Sequence, residues 1–382
     1  MTDLVFKISQ HIVLGPYTIT RLLQLAKGQG ARFMIIMDPV LKEVSLQEKI
    51  LQPLKEKGAE YFIFDNLADG AASREIEQAL VLARKGHVNG IIAAGGTKAL
   101  HVGAAVSALF HEERGIYDFL DGAATEREPL PLICIPTTIR APFVFTAAVP
   151  VIDSRNRQAA LLKACRSGCQ LVIWDSNLTL SLTENQTASI SLEALCLAVE
   201  AFLSQKASFF SDMFAEKALA LMGMALDGTK ALEVTTPADA LLAQAGCTAS
   251  VAAALSSVGV ATLLALAMNA RYRISRSLVA AILFPYIIED AGKFKSDRIE
   301  KCARLMGCLP EGVGREGAAA AFAENIRQRL AKANLPVRLK ELSVSVEQLA
   351  LVAEDAGQLE IMNTLPRSMT ADDLFDVLKL AY

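Results

Sequence analysis

The chain has 382 residues, enough for two ordinary domains around a large buried core. Hydrophobic residues make up 52% and charged residues 21%, a balance that excludes a disordered tail and fits a tightly packed protein. The net charge of −3, with no long basic run, excludes the electrostatic footprint of a nucleic-acid or anionic-membrane partner.

The opening residues MTDLVFKISQH lack the apolar run of a signal peptide, and a cytoplasmic location is the expectation. Short apolar runs then alternate with helical patterns. Candidate strands are Phe33–Met37, Tyr61–Phe64, Gly90–Ala93, Leu132–Ile135 and Leu171–Ile173. Between them, Ala72–Lys85 and Leu100–Phe110 repeat apolar residues every three or four positions, as helices do. Strand and helix in alternation predict a parallel sheet covered on both faces, with ligands beyond the carboxyl ends of its strands.

The run Ile91-Ile92-Ala93-Ala94-Gly95-Gly96-Thr97 leads from one such strand into a helix. Two glycines let the backbone approach a phosphate, Thr97 can cap the helix or bond an oxygen, and the helix N-terminus favours an anion. The same turn also serves close helix–strand packing, and taken alone it does not choose between the two roles.

From about Leu178 the pattern changes to successive helices, among them Ser191–Ser204, Ala215–Leu226, Val251–Asn269 and Ile299–Met306. The expectation is an α/β domain over residues 1–177 and an all-helical domain over 178–382. No charged residue occurs from Ala240 to Ala270, long enough on paper for a membrane span of about 20 residues. Its many Ala, Ser, Gly and Thr residues, with Gln244 and Asn269, instead predict one or two buried core helices and no membrane. Seven cysteines stand at 134, 165, 169, 196, 247, 302 and 308, mostly in apolar stretches. Cys165 and Cys169 are four apart, as on one turn of helix, and Cys302 and Cys308 are six apart. Neither spacing matches a zinc site, and reduced buried thiols are the reading.

Several segments together resemble the iron-dependent alcohol dehydrogenases, a family with a dehydroquinate synthase-like fold. Ala94-Gly95-Gly96-Thr97 resembles their Gly-Gly-Gly-Ser pyrophosphate loop, and Pro131-Leu132-Ile133-Cys134-Ile135-Pro136-Thr137-Thr138 their Pro-Leu-Ile-x-Ile-Pro-Thr-Thr segment. Asp175-Ser176-Asn177-Leu178-Thr179 followed by Thr187-Ala188 is similar to Asp-Pro-x-Leu-Thr and Thr-Ala. Glu193-Ala194-Leu195 and Val199-Glu200-Ala201-Phe202 are similar to Asp-Ala-Leu and Ile-Glu-Ala-Tyr, and Ala281-Ile282-Leu283-Phe284-Pro285 to Ala-Ile-Leu-Leu-Pro. The segments keep the family's order over nearly the whole chain.

The resemblance implies an N-terminal dinucleotide-binding α/β domain, an all-α C-terminal domain, and NAD(P)-dependent alcohol or aldehyde oxidoreduction assisted by a divalent metal acting as a Lewis acid. Cofactor-binding residues carried over are Asp38, Gly95, Gly96, Thr97, Thr137 and Thr138, with Lys98 beside them. Asp38 would bond an adenosine ribose and disfavour a 2′-phosphate, which makes NAD the expected dinucleotide. A homodimer is expected by the same analogy.

The chain departs from the family at the metal. The family's one Asp and three His fall at Glu193, Leu197, Thr262 (or Leu264) and Arg276. Leucine offers no lone pair and a guanidinium repels a cation. The only histidines are His11, His87, His101 and His111, so the second half contains none. No bound metal is the expectation. On the cofactor side, the family's Asp and Lys after the glycine loop become Leu100 and Gly103. Its Ala-Gly-Thr-Gly-Ser-Glu becomes Ile139-Arg140-Ala141-Pro142-Phe143-Val144, which predicts bulk where the nicotinamide ring would lie.

Glu193, Arg276 and Arg140 are expected to line the family's cleft. Arg276 either pairs with Glu193 or points to solvent beside Arg271 and Arg273. Two functions follow: a non-catalytic nucleotide-binding or scaffold protein, a pseudoenzyme, or an NAD-linked oxidoreductase with a rebuilt or metal-free site.

Overall fold

The computed structural model describes residues 6–8, 10–28, 30–179, 182–227 and 236–382. The chain divides into two compact units, Lys7–Ser181 and Leu182–Tyr382, the second also taking in Phe6.

The first unit contains strands β1 (His11–Leu14), β2 (Arg32–Met37), β3 (Glu60–Phe64), β4 (Gly90–Gly95), β5 (Leu132–Pro136), β6 (Ala148–Asp153), β7 (Gln158–Lys163) and β8 (Cys169–Trp174). Its helices are α1 (Leu22–Leu25), α2 (Val40–Glu43), α3 (Gln47–Glu56), α4 (Ser73–Lys85), α5 (Thr97–Leu109) and α6 (Ile116–Leu120). Six strands pair in parallel in the order β1-β8-β5-β4-β2-β3.

Both faces of this sheet are covered, which is why its central strands read as unbroken apolar runs. Phe33, Ile35 and Met37 join Ile92, Ala94, Ile133, Ile135, Leu171 and Ile173 in one core with Leu22 of α1 and Ile50, Leu51 and Leu54 of α3. Their neighbours Met34, Ile36, Ile91 and Ala93 are buried on the other face. There α5 lies directly on β4: a Cβ added at Gly103 would stand 2.5 Å from the Ala93 Cβ.

The connection leaving β2 therefore runs over one face and the connection leaving β4 over the other. That divergence opens a crevice beyond their carboxyl ends, where open α/β sheets bind ligands.

Two strand features escaped the sequence. β1 is a four-residue edge strand, too short to show a period. β6 and β7 form an antiparallel hairpin outside the main sheet, and Pro150 inside β6 masks its strand character. Arg155 anchors the hairpin turn: its Nη2 lies 2.7 Å from Asp153 Oδ2, its Nη1 3.0 Å from Asp121 Oδ2, and its guanidinium 4.6 Å from the centre of the Tyr117 ring. Cys165 and Cys169 do not share a helix, since Cys169 opens β8 and Cys165 precedes it in an exposed connection.

The second unit contains α7 (Glu184–Leu203), α8 (Phe209–Asp227), α9 (Ala238–Leu255), α10 (Val260–Tyr272), α11 (Arg276–Gly292), α12 (Ser296–Leu305), α13 (Arg315–Lys332), α14 (Val346–Gly357) and α15 (Ala371–Leu380), with no strand among the described residues. A reciprocal capping box starts α7, with Thr183 Oγ1 accepting from the Gln186 N–H and Gln186 Oε1 from the Thr183 N–H. From Ser189 to Leu203 every residue of α7 is buried, because α8, α9 and α11 surround it.

By length and composition α7 and α9 could each cross a membrane, but both pack within this unit. The charge-free stretch forms two helices, one of the two alternatives expected, and the helical pattern over Val251–Asn269 is divided between them. The chain breaks at Ser256–Gly259. A Cβ on Gly259 would stand 2.8 Å from Glu200 Cγ, and the Glu200 carboxylate takes the place of an intrahelical partner at the start of α10. None of the seven cysteines is in a disulfide and five are buried; burial alone pushes the Cys247 thiol up to about 12.

Candidate functional site

The cofactor candidates meet at the crevice between β2 and β4. Gly95 closes β4 with φ +145°, a conformation that favours glycine, and a Cβ there would stand 2.6 Å from the Asp38 Cβ. The Asp38 N–H donates to the Ala94 carbonyl and the Thr137 N–H to the Gly95 carbonyl, both at 3.0 Å, tying the ends of β2 and β5 to the loop. Gly96 caps α5. A Cβ on it would meet Asp38 Oδ2 and Thr138 Cγ2 at 3.7 Å each, so the Asp38 carboxylate and the Thr138 side chain flank the glycine pair. Thr97, Thr137 and Thr138 are buried. The cradle thus joins a glycine backbone, the N-terminus of a 13-residue helix and an acidic residue at the next strand end. Lys98 is exposed beside it.

The segment after Thr138 is packed inward. Ile139, Arg140, Ala141 and Val144 are all buried. Thr138 Oγ1 donates to the Arg140 carbonyl at 3.1 Å, and Phe143 meets the His101 ring edge-on at 5.7 Å. Between this segment, α5 and the hairpin remains a cavity of about 20 Å³, room for roughly one water. Leu100 is buried beside it, and Gly103 serves the contact of α5 with β4.

In the helical unit, Glu193, Leu197, Thr262 and Arg276 lie on α7, α10 and α11, which pack together. Leu197 is buried, and Arg276 is half-buried at the start of α11. Glu200 Oε1 accepts from the backbone N–H groups of Ala261 (2.6 Å) and Thr262 (3.1 Å), and its Oε2 accepts from Thr262 Oγ1 at 2.6 Å. Burial pushes the Glu200 carboxyl above the ordinary range, and these hydrogen bonds oppose the shift.

Glu193 Oε2 accepts from Ser277 Oγ at 2.6 Å. Between the two acids, Cys196 is fully buried, and burial together with the Glu200 and Glu193 charges pushes its thiol well up, away from the thiolate a metal takes. Arg271 does not form an open basic patch with its neighbours. It grips the buried Asp355 in a two-point pair at 2.6 and 2.8 Å.

The Iron-containing alcohol dehydrogenase model matches residues 9–176, and the Fe-containing alcohol dehydrogenase C-terminal model matches residues 187–382. The chain belongs to the iron-containing alcohol dehydrogenase family.

Among its relatives in that family, long-chain-alcohol dehydrogenase 1 of Geobacillus thermodenitrificans is 25% identical, over 93% of this chain and 90% of that one. The crystal structure of a 1,3-propanediol oxidoreductase superposes with a TM-score of 0.91 at 21% identity, covering all of both chains. Sulfoacetaldehyde reductase of Bifidobacterium kashiwanohense, solved in complex with NAD+, superposes with a TM-score of 0.83 at 19% identity, covering 100% of this chain and 99% of that one.

This member of the iron-containing family carries two polar contacts that sequence reasoning did not single out. Ser277 follows Arg276 directly and reaches Glu193, a partner visible only once α11 packs on α7. From the sequence, Thr262 stands only at a position without a metal ligand, whereas its hydroxyl donates to Glu200. The faint signal was the spacing of Glu193 and Glu200, seven apart and hence on one face of α7.

Proposed function

We propose that this chain binds a dinucleotide, NAD in preference to NADP, and has lost the metal-dependent oxidoreduction of its family, working as a nucleotide-sensing or scaffold protein. The observation that carries this reading is the donor set at the four positions where the resemblance puts metal ligands. Thr262 gives its hydroxyl proton to Glu200, Leu197 has no donor atom, and Arg276 is a permanent cation. Glu193 remains as one carboxylate, with one oxygen already accepting from Ser277. That set does not suit an iron or zinc ion, which takes four or more N, O or S donors.

Two features of the first unit support nucleotide binding. Gly95 and Gly96 form a cradle that a Cβ at Gly95 would close, and the adjacent Asp38 carboxylate is suited to bond an adenosine ribose and repel a 2′-phosphate. A structural neighbour of the same fold, crystallised in complex with NAD+, supports NAD as the ligand class. The buried turn from Ile139 to Val144 argues against room for a reacting nicotinamide beside α5.

A second reading keeps catalysis without a metal. Arg140, buried two residues beyond Thr138, or the half-buried Arg276 would polarise a carbonyl in this reading. We extend the proposal to a cytoplasmic homodimer, which light scattering and cell fractionation test.

Trp174, the single tryptophan, ends β8 in the same unit and provides an energy donor for NADH. Saturable quenching of Trp174 by NADH in the presence of a chelator, with NADPH weaker and no oxidation by short aldehydes, is the expected result. Aldehyde-dependent NADH oxidation in chelator would establish the second reading. Absence of NADH binding would contradict both.

A further inference from the structure

Helix α7 carries two buried acids, and each is bonded through a hydroxyl to a different neighbouring helix. Glu193 reaches Ser277 on α11, and Glu200 reaches Thr262 on α10, both at 2.6 Å. The four side chains belong to the three helices on which the resemblance places the metal ligands, and two of them stand at ligand positions. An ion in that place would cross-link α7 to α10 and to α11. We infer that these two hydroxyl–carboxylate bonds perform that cross-linking in this chain, making assembly of the helical unit independent of any divalent ion.

Three features carry the argument. A hydrogen bond to a carboxyl shielded from water is stronger than one at a surface, and Glu193 and Glu200 are only 9% and 2% exposed. Glu200 also closes the broken end of α10 through two backbone N–H groups, so Thr262 completes a three-point clasp rather than a lone contact. The clasp further depends on Gly259, since a Cβ there would collide with Glu200. The inference rests on the proposed absence of a metal, but its core, the role of the two hydroxyls, is tested separately.

Thermal unfolding of the full chain and of Ser277→Ala, Thr262→Val and Thr262→Ser, each with chelator and with added zinc or ferrous iron, provides the test. Thr262→Val keeps the shape and removes the hydroxyl, while Thr262→Ser keeps the hydroxyl. The wild-type midpoint should be the same in chelator and in metal. Ser277→Ala and Thr262→Val should each lower it by about 3–10 °C, and Thr262→Ser should restore most of the loss. Protease cleavage within residues 182–382 should accelerate in the two hydroxyl-free variants and not in Thr262→Ser.

Unchanged midpoints in Ser277→Ala and Thr262→Val would overturn the cross-link, whatever the metal content. A wild-type midpoint that rises with metal, or falls in chelator, would overturn the metal-free reading instead. Loss of folding in Thr262→Val with full recovery in Thr262→Ser would support the cross-link as well.

Discussion

Two polar clusters of this molecule, one in each unit, differ in what they leave available. In the crevice of the first unit, Asp38, Gly96 and Thr138 surround a loop whose conformation only glycine adopts freely, and the adjoining helix turns its N-terminus toward it. In the second unit, Glu200 is saturated by Ala261 and Thr262, and one oxygen of Glu193 holds Ser277. The second arrangement binds the protein to itself. In the proposed reading the first takes a ligand from outside, and the fold keeps one half of an ancestral site while the other half joins its scaffold. Family membership fixes the architecture and leaves activity to be argued from side chains.

Substitutions in each unit separate the two roles. The largest expected effect concerns a helical-unit pair that is purely structural. Arg271→Ala leaves Asp355, 3% exposed, as a buried acid without its guanidinium and should cost about 3–5 kcal/mol in urea unfolding. The double variant Arg271→Met, Asp355→Leu should recover much of that, since an apolar pair carries no desolvation cost.

Gly95→Ala comes next. It forces a side chain into a positive-φ position and against Asp38, with a cost of about 1–3 kcal/mol and loss of NADH quenching of Trp174. Retained NADH affinity in a folded Gly95→Ala would detach the glycine loop from nucleotide binding.

Asp38→Gly should have a smaller effect, in the opposite sense for the two cofactors. NADH should bind about tenfold more weakly, roughly 1.4 kcal/mol, and NADPH should gain relative to it in parallel titrations. An unchanged ratio would show that Asp38 does not meet the ribose.

The smallest effect is a slope. Burial raises the folded-state pKa of Glu200 above its ordinary 4.5, so the folded chain holds that proton more tightly than the unfolded chain. Its share of stability is fully present below the unfolded value and is lost as pH rises through the raised folded value. Glu200→Gln should flatten the pH dependence of the unfolding free energy across that window, measured from about pH 4 to about pH 7. An unaltered slope would mean that Glu200 does not titrate with folding.

Much of the first unit was legible because its signals are local. Apolar runs such as Phe33–Met37 and Gly90–Ala93 are buried on both faces, and the glycine pair marks the strand-to-helix turn where the sheet divides its connections. β1 was hidden by its length, and the β6–β7 hairpin by Pro150 and by an anchor, Arg155, whose partner Asp121 lies 34 positions away. In the helical half, two helices were an open alternative, but the position of the break was not legible, because Glu200, which caps the start of α10, stands 59 positions before Gly259. The proposed cofactor residues were readable as a motif, since Asp38, Gly95 and Thr137 stand at or directly after the ends of β2, β4 and β5, and Gly96 and Thr97 at the start of α5. The Ser277–Glu193 bond was not, because a serine near a helix start has no sequence signature that points 84 positions back.

The most direct test is a steady-state assay of NADH absorbance with short aldehydes, run on protein loaded with ferrous iron or zinc and matched against chelator-treated protein. The account predicts no aldehyde-dependent loss of NADH in either sample. Turnover that appears with the metal and vanishes in chelator would contradict it.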